Sequence, residues 1–380
     1  MDIALGAAIV LVAVAIIASA ARGGHEVPVY PSYYPHEIAI ETMPPDRAAS
    51  LLQDSKIQAY VDSEPRFSGE VPSSIRYVEA LGSLVVVRLN PASPLVQEPA
   101  SACAVVDMIV RSLADREGFI FHPYPVTPLH GDYLVYADLA LAAKARYAKM
   151  AGESATPRHL RVKADGRLAG LVAAEWTTEA PDWDAAIEAA DAAALVASAM
   201  TSLNGWLGPP WVKTGWFHAD KILAEAIDDP GAAGSADTAR ERLQAGDYRG
   251  VVERMNLQRA LMAALTQGCR KRVAGYTVKR QYFSAEFTEG IENIGFDSIA
   301  GFNSPMFMRT VKLKNFPWNG WLSLGIDADA KAAWNPIGGF TDRFGRLVWG
   351  AVGDPALLQA PYDSGWMLNR VADVQSSAVR

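Results

Sequence analysis

Ile3-Ala-Leu-Gly-Ala-Ala-Ile-Val-Leu-Val-Ala-Val-Ala-Ile-Ile-Ala-Ser-Ala-Ala21 is an unbroken run of nineteen uncharged, mostly aliphatic residues. As a helix rising about 1.5 Å per residue it is about 28 Å long, close to the hydrocarbon thickness of a bilayer. Three readings are open. A secretory signal offers a cleavage site, and Ala18-Ser19-Ala20 has the small-residue pattern for one, but it also needs a basic leading segment. Ahead of Ile3 the only charged side chain is that of Asp2. A buried core helix seldom runs this far without a charge. The third reading is the expectation: a single transmembrane helix, with an anchor over 1–24 that meets the lipid bilayer through residues 3–21. No Lys or Arg precedes the run and Arg22 follows it. The positive-inside bias therefore places the body in the cytoplasm of a bacterial inner membrane, with a periplasmic body as the alternative.

Composition bounds what hangs on that segment. Half of the 380 residues are apolar and a fifth are charged, a globular balance. The net charge of −7, without a basic tract, excludes nucleic acid as a natural partner and gives no polybasic grip on anionic lipid. Alanine richness points to a bacterial source. The two cysteines, Cys103 and Cys269, form no Cys-x-x-Cys for zinc or haem. A disulfide between them fits a periplasmic body, and two buried thiols fit a cytoplasmic one.

Residues 25–45 read as a linker. Val27-Pro-Val-Tyr-Pro-Ser-Tyr-Tyr-Pro-His36 cannot be helical and carries Tyr30, Tyr33 and Tyr34, rings suited to a headgroup zone or to a partner subunit. The body then divides softly near residue 205, into an α/β part over 46–205 and a helix-plus-sheet part over 206–380. The first part opens with a helix over 46–53 and a strand over 57–61. Runs 74–81 and 84–89 around Gly82-Ser83 predict a hairpin, with Val85-Val86-Val87 buried on both faces. Pro99 opens a helix to about Ala114. A short strand over 119–121, a proline-rich loop over 122–132 and a helix over 132–150 follow. A second hairpin, 159–163 and 168–176 about Ala164-Asp165-Gly166, leads into an alanine-rich helix over 183–203 capped by Asp182. The second part contains a helix over 219–227, a small-residue loop over 230–236 and an amphipathic helix over 247–267. An antiparallel β-rich end has strands near 273–283, 306–313, 321–326 and 347–352. The expected fold class is thus α+β, with β-hairpin-then-helix units behind a membrane anchor.

Chemistry-bearing motifs are sparse. Phosphate-binding glycine loops, Gly-x-Ser-x-Gly and His-Glu-x-x-His are all missing. Asp327-Ala-Asp329-Ala-Lys331 starts like a calcium loop but lacks its glycine and closing glutamate. His122, His130 and Asp132 share one loop and form the best candidate set for a metal, with structural hydrogen bonding as the alternative. His218 stands at a helix start, where the dipole favours its neutral form. No cofactor is expected. The ten tryptophans exceed expectation, and five cluster: Trp206, Trp211 and Trp216, then Trp318 and Trp321. On Gly/Pro/Asn loops such rings suit a seam between the two parts, a docking face or an aromatic pocket.

Taken together, these features predict a single-pass accessory subunit docking on other integral membrane proteins through Tyr30, Tyr33, Tyr34 and the five clustered tryptophans. The alternative is a tethered ligand-binding protein or enzyme. Its cleft at the seam near residue 205 would bring together Trp211, Trp216 and His218 with His122, His130 and Asp132.

Overall fold

The structure, a computed structural model, describes residues 35–149, 160–164, 166–199, 209–314, 320–331, 342–353, 356–363, 365–369 and 371–374. The chain enters through β1 (Glu37–Thr42), α1 (Pro45–Gln53) and β2 (Ala59–Tyr60). It continues through β3 (Ile75–Leu89), α2 (Pro99–Ser112), β4 (Ile120–Phe121), α3 (Ala137–Lys149), β5 (Val162–Ala164), β6 (Ala185–Asp191) and α4 (Ala192–Ala197). Three helices follow: α5 (Gly215–Leu223), α6 (Pro230–Ala245) and α7 (Gly250–Gln267). The last elements are β7 (Lys271–Ser284), β8 (Ile291–Asn293), α8 (Pro305–Thr310), β9 (Lys312–Leu313), β10 (Trp321–Ile326), α9 (Arg343–Val352), β11 (Leu357–Gln359) and β12 (Trp366–Leu368).

Among the described residues, eight strands form one mixed sheet in the order β1-β10-β2-β7-β3-β6-β5, with β4 also paired to β7. β10 runs parallel to both β1 and β2. The long pair β3–β7 and the pair β3–β6 are antiparallel, and β5 is parallel to β6. Both faces of the centre are covered. Val86 belongs to an apolar cluster built with α5, α6 and α7. Val85 and Val87 belong to one built with α2. Alternate residues of a strand point to opposite faces, so the expected double burial of Val85-Val86-Val87 is what a sheet between two helical layers requires.

Helix starts follow local chemistry. α1, α2, α6 and α8 open on proline, whose missing N–H costs nothing in a first turn. Asp229 caps α6 by accepting the Ala232 N–H at 2.7 Å, and Gly246 ends it at φ 68°, a left-handed value that favours glycine.

Several sequence expectations are corrected. The segment expected to cross the membrane, and the linker tyrosines Tyr30, Tyr33 and Tyr34, lie outside the described residues. Among the described residues no helix is long and apolar enough to cross a membrane. The fold class is therefore corrected to a mixed α/β one built on a central sheet. The first expected hairpin is one fifteen-residue strand running straight through Gly82-Ser83. Gly82 is there for a close approach, since a Cβ would lie 2.8 Å from Thr277 Oγ1, which also accepts the Ser83 N–H. The pair makes a bulge in the β3–β7 ladder rather than a turn. The second hairpin is also absent: β5 pairs parallel with β6, and 166–171 is a 3-10 turn. The alanine-rich helix is β6 over 185–191, and only 192–197 is helical. Alanine's helix preference is worth at most about 0.7 kcal/mol per residue over most others, and the ladder to β3 with burial of Ala185, Ala186 and Ile187 outweighs it. The small-residue loop after Pro230 is a sixteen-residue helix. In the C-terminal part, 305–310 and 343–352 are helices and β10 is a parallel strand, so the antiparallel β-rich end is corrected too.

Candidate functional site

A cleft of about 440 Å³ opens where α4, the loop before α8, the start of α9 and β7 meet. Its apolar lining is mostly small: alanines and Val196 of α4, with Ile299, Ala300 and Pro305 from the loop into α8. Its polar lining is charged and already organised. Lys213 donates to Asp297 Oδ2 at 2.6 Å and to the Ala360 carbonyl at 2.6 Å. Both Lys213 and Asp297 are buried. The other Asp297 oxygen accepts the N–H groups of Ile299 and Ala300, at 2.9 and 3.0 Å. Asp62, also buried, receives Lys279 at 2.6 Å on one oxygen and Arg343 at 3.1 Å on the other. Arg343 reaches on to Asp327 at 2.6 Å, an acid that also accepts the Ser63 hydroxyl.

Two backbone features hold this wall. Asp62 sits at φ 62°, an uncommon value for a side-chain-bearing residue and one that costs about 1 kcal/mol or more unless its surroundings enforce it. Gly301 sits at φ 64°, and a Cβ there would lie 2.1 Å from Gln281 Nε2. Gln281, fully buried, donates to the Ala300 carbonyl and accepts the Phe302 N–H, clamping the loop from Asp297 to Ser304. Sequence reasoning passed over Asp62, Lys279, Asp297, Gln281 and Gly301, and touched this wall only at Asp327, as the start of an incomplete calcium loop. The signal available was faint: isolated aspartates after a short strand, and a glycine inside Ala300-Gly-Phe302.

The proline-rich loop forms a separate buried network. The Thr127 N–H donates to His130 Nδ1 at 2.9 Å, so His130 carries its proton on Nε2. That proton faces His218 Nδ1 at 2.9 Å, and His218 Nε2 in turn faces the Val212 carbonyl at 3.0 Å. One tautomer on each ring satisfies all four nitrogens with both rings neutral. Burial pushes both imidazoles down, His218 to about 4 and His130 well below its ordinary value. Asp132 accepts the N–H groups of Gly215 and Trp216, at 2.7 and 3.3 Å, and so caps α5 from 83 residues away. Burial nonetheless raises its pKa to about 6, against the lowering effect of those hydrogen bonds. His122 Nε2 faces the Val126 carbonyl at 2.8 Å, so His122, His130 and Asp132 have their donor atoms committed to different partners. Among the described residues no group of three or more His, Cys, Asp or Glu side chains is placed to hold a metal.

Of the aromatic candidates, Trp211 and Trp216 lie 5.9 Å apart and pack with Phe217 in the α5–α7 cluster. Trp216 is 2% exposed and offers nothing to a docking partner. Trp321 opens β10 and is 65% exposed. Trp206 and Trp318 lie outside the described residues. The structure thus brings together His130, His218, Asp132 and the backbone of Trp216, but as a packed interior rather than as a cleft. Cys103 and Cys269 are joined in a disulfide, with Cα atoms 4.9 Å apart.

No family model matches the sequence, and no curated protein matches it. Solved structures resemble it in part. A nickel ABC transporter structure from Bacillus halodurans is 12% identical over 64% of this chain and 56% of its own, with a TM-score of 0.37. HbpA2 from Haemophilus parasuis is 12% identical over 71% and 56%, with a TM-score of 0.41. The oligopeptide-binding protein AppA from Bacillus subtilis, in complex with a nonapeptide, is 12% identical over 68% and 57%, with a TM-score of 0.36. The chain spans little more than half the length of each, and a likeness of this degree transfers neither family nor ligand. The single-pass accessory-subunit reading is corrected: among the described residues no helix is long and apolar enough to span a membrane, and of its docking rings Trp216 is buried while Trp321 is exposed. A formed cleft with charged walls stands on the side of the ligand-binding alternative.

Proposed function

We propose that this chain is a binding protein that works outside the cytoplasm and holds a small zwitterionic ligand, a short peptide or an amino-acid derivative, in the cleft lined by α4. The observation that carries the reading is the combination, in one cleft of about 440 Å³, of cations and carboxylates with an apolar lining of mostly small side chains. Lys279 and Arg343 offer positive charge to a ligand carboxylate, and Asp62 and Asp297 offer negative charge to an ammonium. Each is held by its neighbours before any ligand arrives, which lowers the ordering cost of binding. The alanine face of α4 leaves room for an extended backbone. The disulfide supports that compartment, since paired structural cysteines persist in oxidising surroundings and are rare in the cytosol.

The test is calorimetric titration with di- and tripeptides and single amino acids, each with free and with blocked termini. Free termini are expected to bind, and blocking either end to weaken binding at least tenfold. The variant Lys279→Met should lose affinity for the free carboxylate while its melting curve remains cooperative. Equal affinity for blocked and free ligands, or no binding at millimolar concentration, would sink the reading.

A further inference from the structure

We propose that a second pocket, enclosed by the start of α5, the end of α6 and one face of α7, binds a planar aromatic carboxylate. This pocket, of about 360 Å³, is distinct from the charged cleft and is walled by Trp211, Trp216 and Tyr248. Arg254 and Gln258 also line it. They are four residues apart on α7 and therefore lie on one face of the helix. Gln258 is 4% exposed and its Oε1 has no hydrogen-bond partner. The Arg254 Nε is buried and unpartnered as well. Buried polar atoms are nearly always paired, and two orphans one helical turn apart in a single pocket mark a place that a ligand completes. Among the described residues no carboxylate forms an ion pair with Arg254. Asp132 feels its charge, but the Asp132 oxygens already accept the Gly215 and Trp216 N–H groups.

The missing partners define the ligand. The guanidinium calls for an oxyanion and recognises a carboxylate in a planar, two-point fashion. The amide oxygen calls for a donor, such as a ring hydroxyl or an indole N–H. The half-buried Trp211 ring, fixed by its Nε1–H bond to the Gln244 carbonyl at 3.2 Å, gives a flat ring a surface to stack on. The volume is that of a small-molecule site.

The probes are 4-hydroxybenzoate and indole-3-acetate, with 4-methylphenol as the control that keeps the ring and loses the carboxylate. Calorimetry on the full chain should find both acids binding and the control at least tenfold weaker. Arg254→Met should weaken the acids at least tenfold and Gln258→Leu severalfold, while Lys279→Met in the other cleft leaves them unchanged. A crystal structure of the unsubstituted protein grown with 4-hydroxybenzoate should place its carboxylate on Arg254, a readout that depends on no variant. The proposal fails if neither acid binds at millimolar concentration, if Arg254→Met binds as before, or if Lys279→Met abolishes binding. It also fails if the crystal shows only ordered water on Arg254 and Gln258. Failure of peptide binding in the charged cleft would leave this pocket standing, and the reverse holds too.

Discussion

Replacing Cys103 and Cys269 together by alanine removes the covalent link between α2 and the turn that joins α7 to β7. The bridge spans 166 residues of chain. In the chain-entropy treatment, closing a loop of that size lowers the entropy of the unfolded chain by about 17 cal/mol/K, which is about 5 kcal/mol at 25 °C. Measured losses for natural disulfides run at about 2–5 kcal/mol, so the double variant should be about 3–5 kcal/mol less stable than the oxidised protein. Packing adds little, because each alanine keeps the Cβ and only the sulfurs leave the cluster around Val106 and Ala274. The assay is urea unfolding followed by far-UV circular dichroism, comparing the oxidised protein, the protein held in dithiothreitol and the double variant. With a slope near 3 kcal/mol/M for a chain of this size, the midpoint should fall by about 1 M or more. The reduced protein and the double variant should nearly coincide. Equal midpoints for all three samples would refute the reasoning. So would two titratable thiols in protein freshly prepared from its native compartment, which would also remove the case for an oxidising location.

The buried network predicts two opposed pH dependences. His218 titrates at about 4 in the fold against 6.5 for the free side chain, so its stabilisation is complete above pH 6.5 and is lost as pH falls through 4, on the order of 3 kcal/mol. Asp132 titrates at about 6 against 3.8, so its contribution is complete below pH 3.8 and is lost as pH rises through 6, about 3 kcal/mol in the opposite sense. Relative to the unsubstituted protein, urea melts of His218→Gln should lose stability with rising pH across this window, and those of Asp132→Asn with falling pH; unchanged slopes in both would be contrary evidence. Gly301→Ala should cost about 2 kcal/mol or more, because it combines a left-handed φ with a collision on the buried Gln281 amide, and it should weaken cleft binding with it. A fully stable Gly301→Ala protein would mean the loop is not clamped as described. Lys279→Met leaves Asp62 with only Arg343 and should cost about 2 kcal/mol. Adding Asp62→Asn should recover part of that loss in a double-mutant cycle, and strict additivity would argue against direct coupling.

Sequence periodicity revealed the elements whose local and tertiary preferences agree. α1, α2, α7 and the strands β7 and β10 lie close to where proline, glycine and apolar spacing place them. It misread the places where long-range pairing overrides local preference. Ala185-Ala-Ile-Glu-Ala-Ala-Asp191 has the composition of a helix, but its partner is the ladder of β3, a hundred residues earlier. Gly82-Ser83 has the composition of a turn, but it accommodates the Thr277 hydroxyl across a bulge. Pro230-Gly-Ala-Ala-Gly-Ser235 has the composition of a loop, yet Asp229 and Gly246 cap a helix at either end of a longer segment. The charged cleft was illegible for a related reason. Asp62, Lys213, Lys279, Asp297 and Arg343 are scattered over the chain and become neighbours only through the sheet. The link between His130 and His218 joins residues 88 apart; the sequence groups them with Asp132 as cleft residues, whereas the structure buries them in the interior.

That link also explains how one short turn serves both pockets. Residues 210–213 form a 3-10 turn just before α5. Lys213 leaves it toward Asp297 and the charged cleft, and Trp211 leaves it toward the aromatic pocket. Val212, between them, is fully buried, and its carbonyl faces His218. The chain of hydrogen bonds from Thr127 through His130 and His218 to Val212 therefore pins the middle of the turn to the proline-rich loop. Asp132 pins the next residues by capping α5. Gly215 is required at that junction, since a Cβ would lie 2.3 Å from the Val126 side chain. Neutral, fully paired imidazoles suit this role better than a metal or a general base would. They place a lysine on one side and an indole on the other without leaving a charge or an unfilled valence in the core. A substitution in the histidine pair should accordingly disturb ligand binding in both pockets at once, whereas Lys279→Met or Arg254→Met disturbs one only.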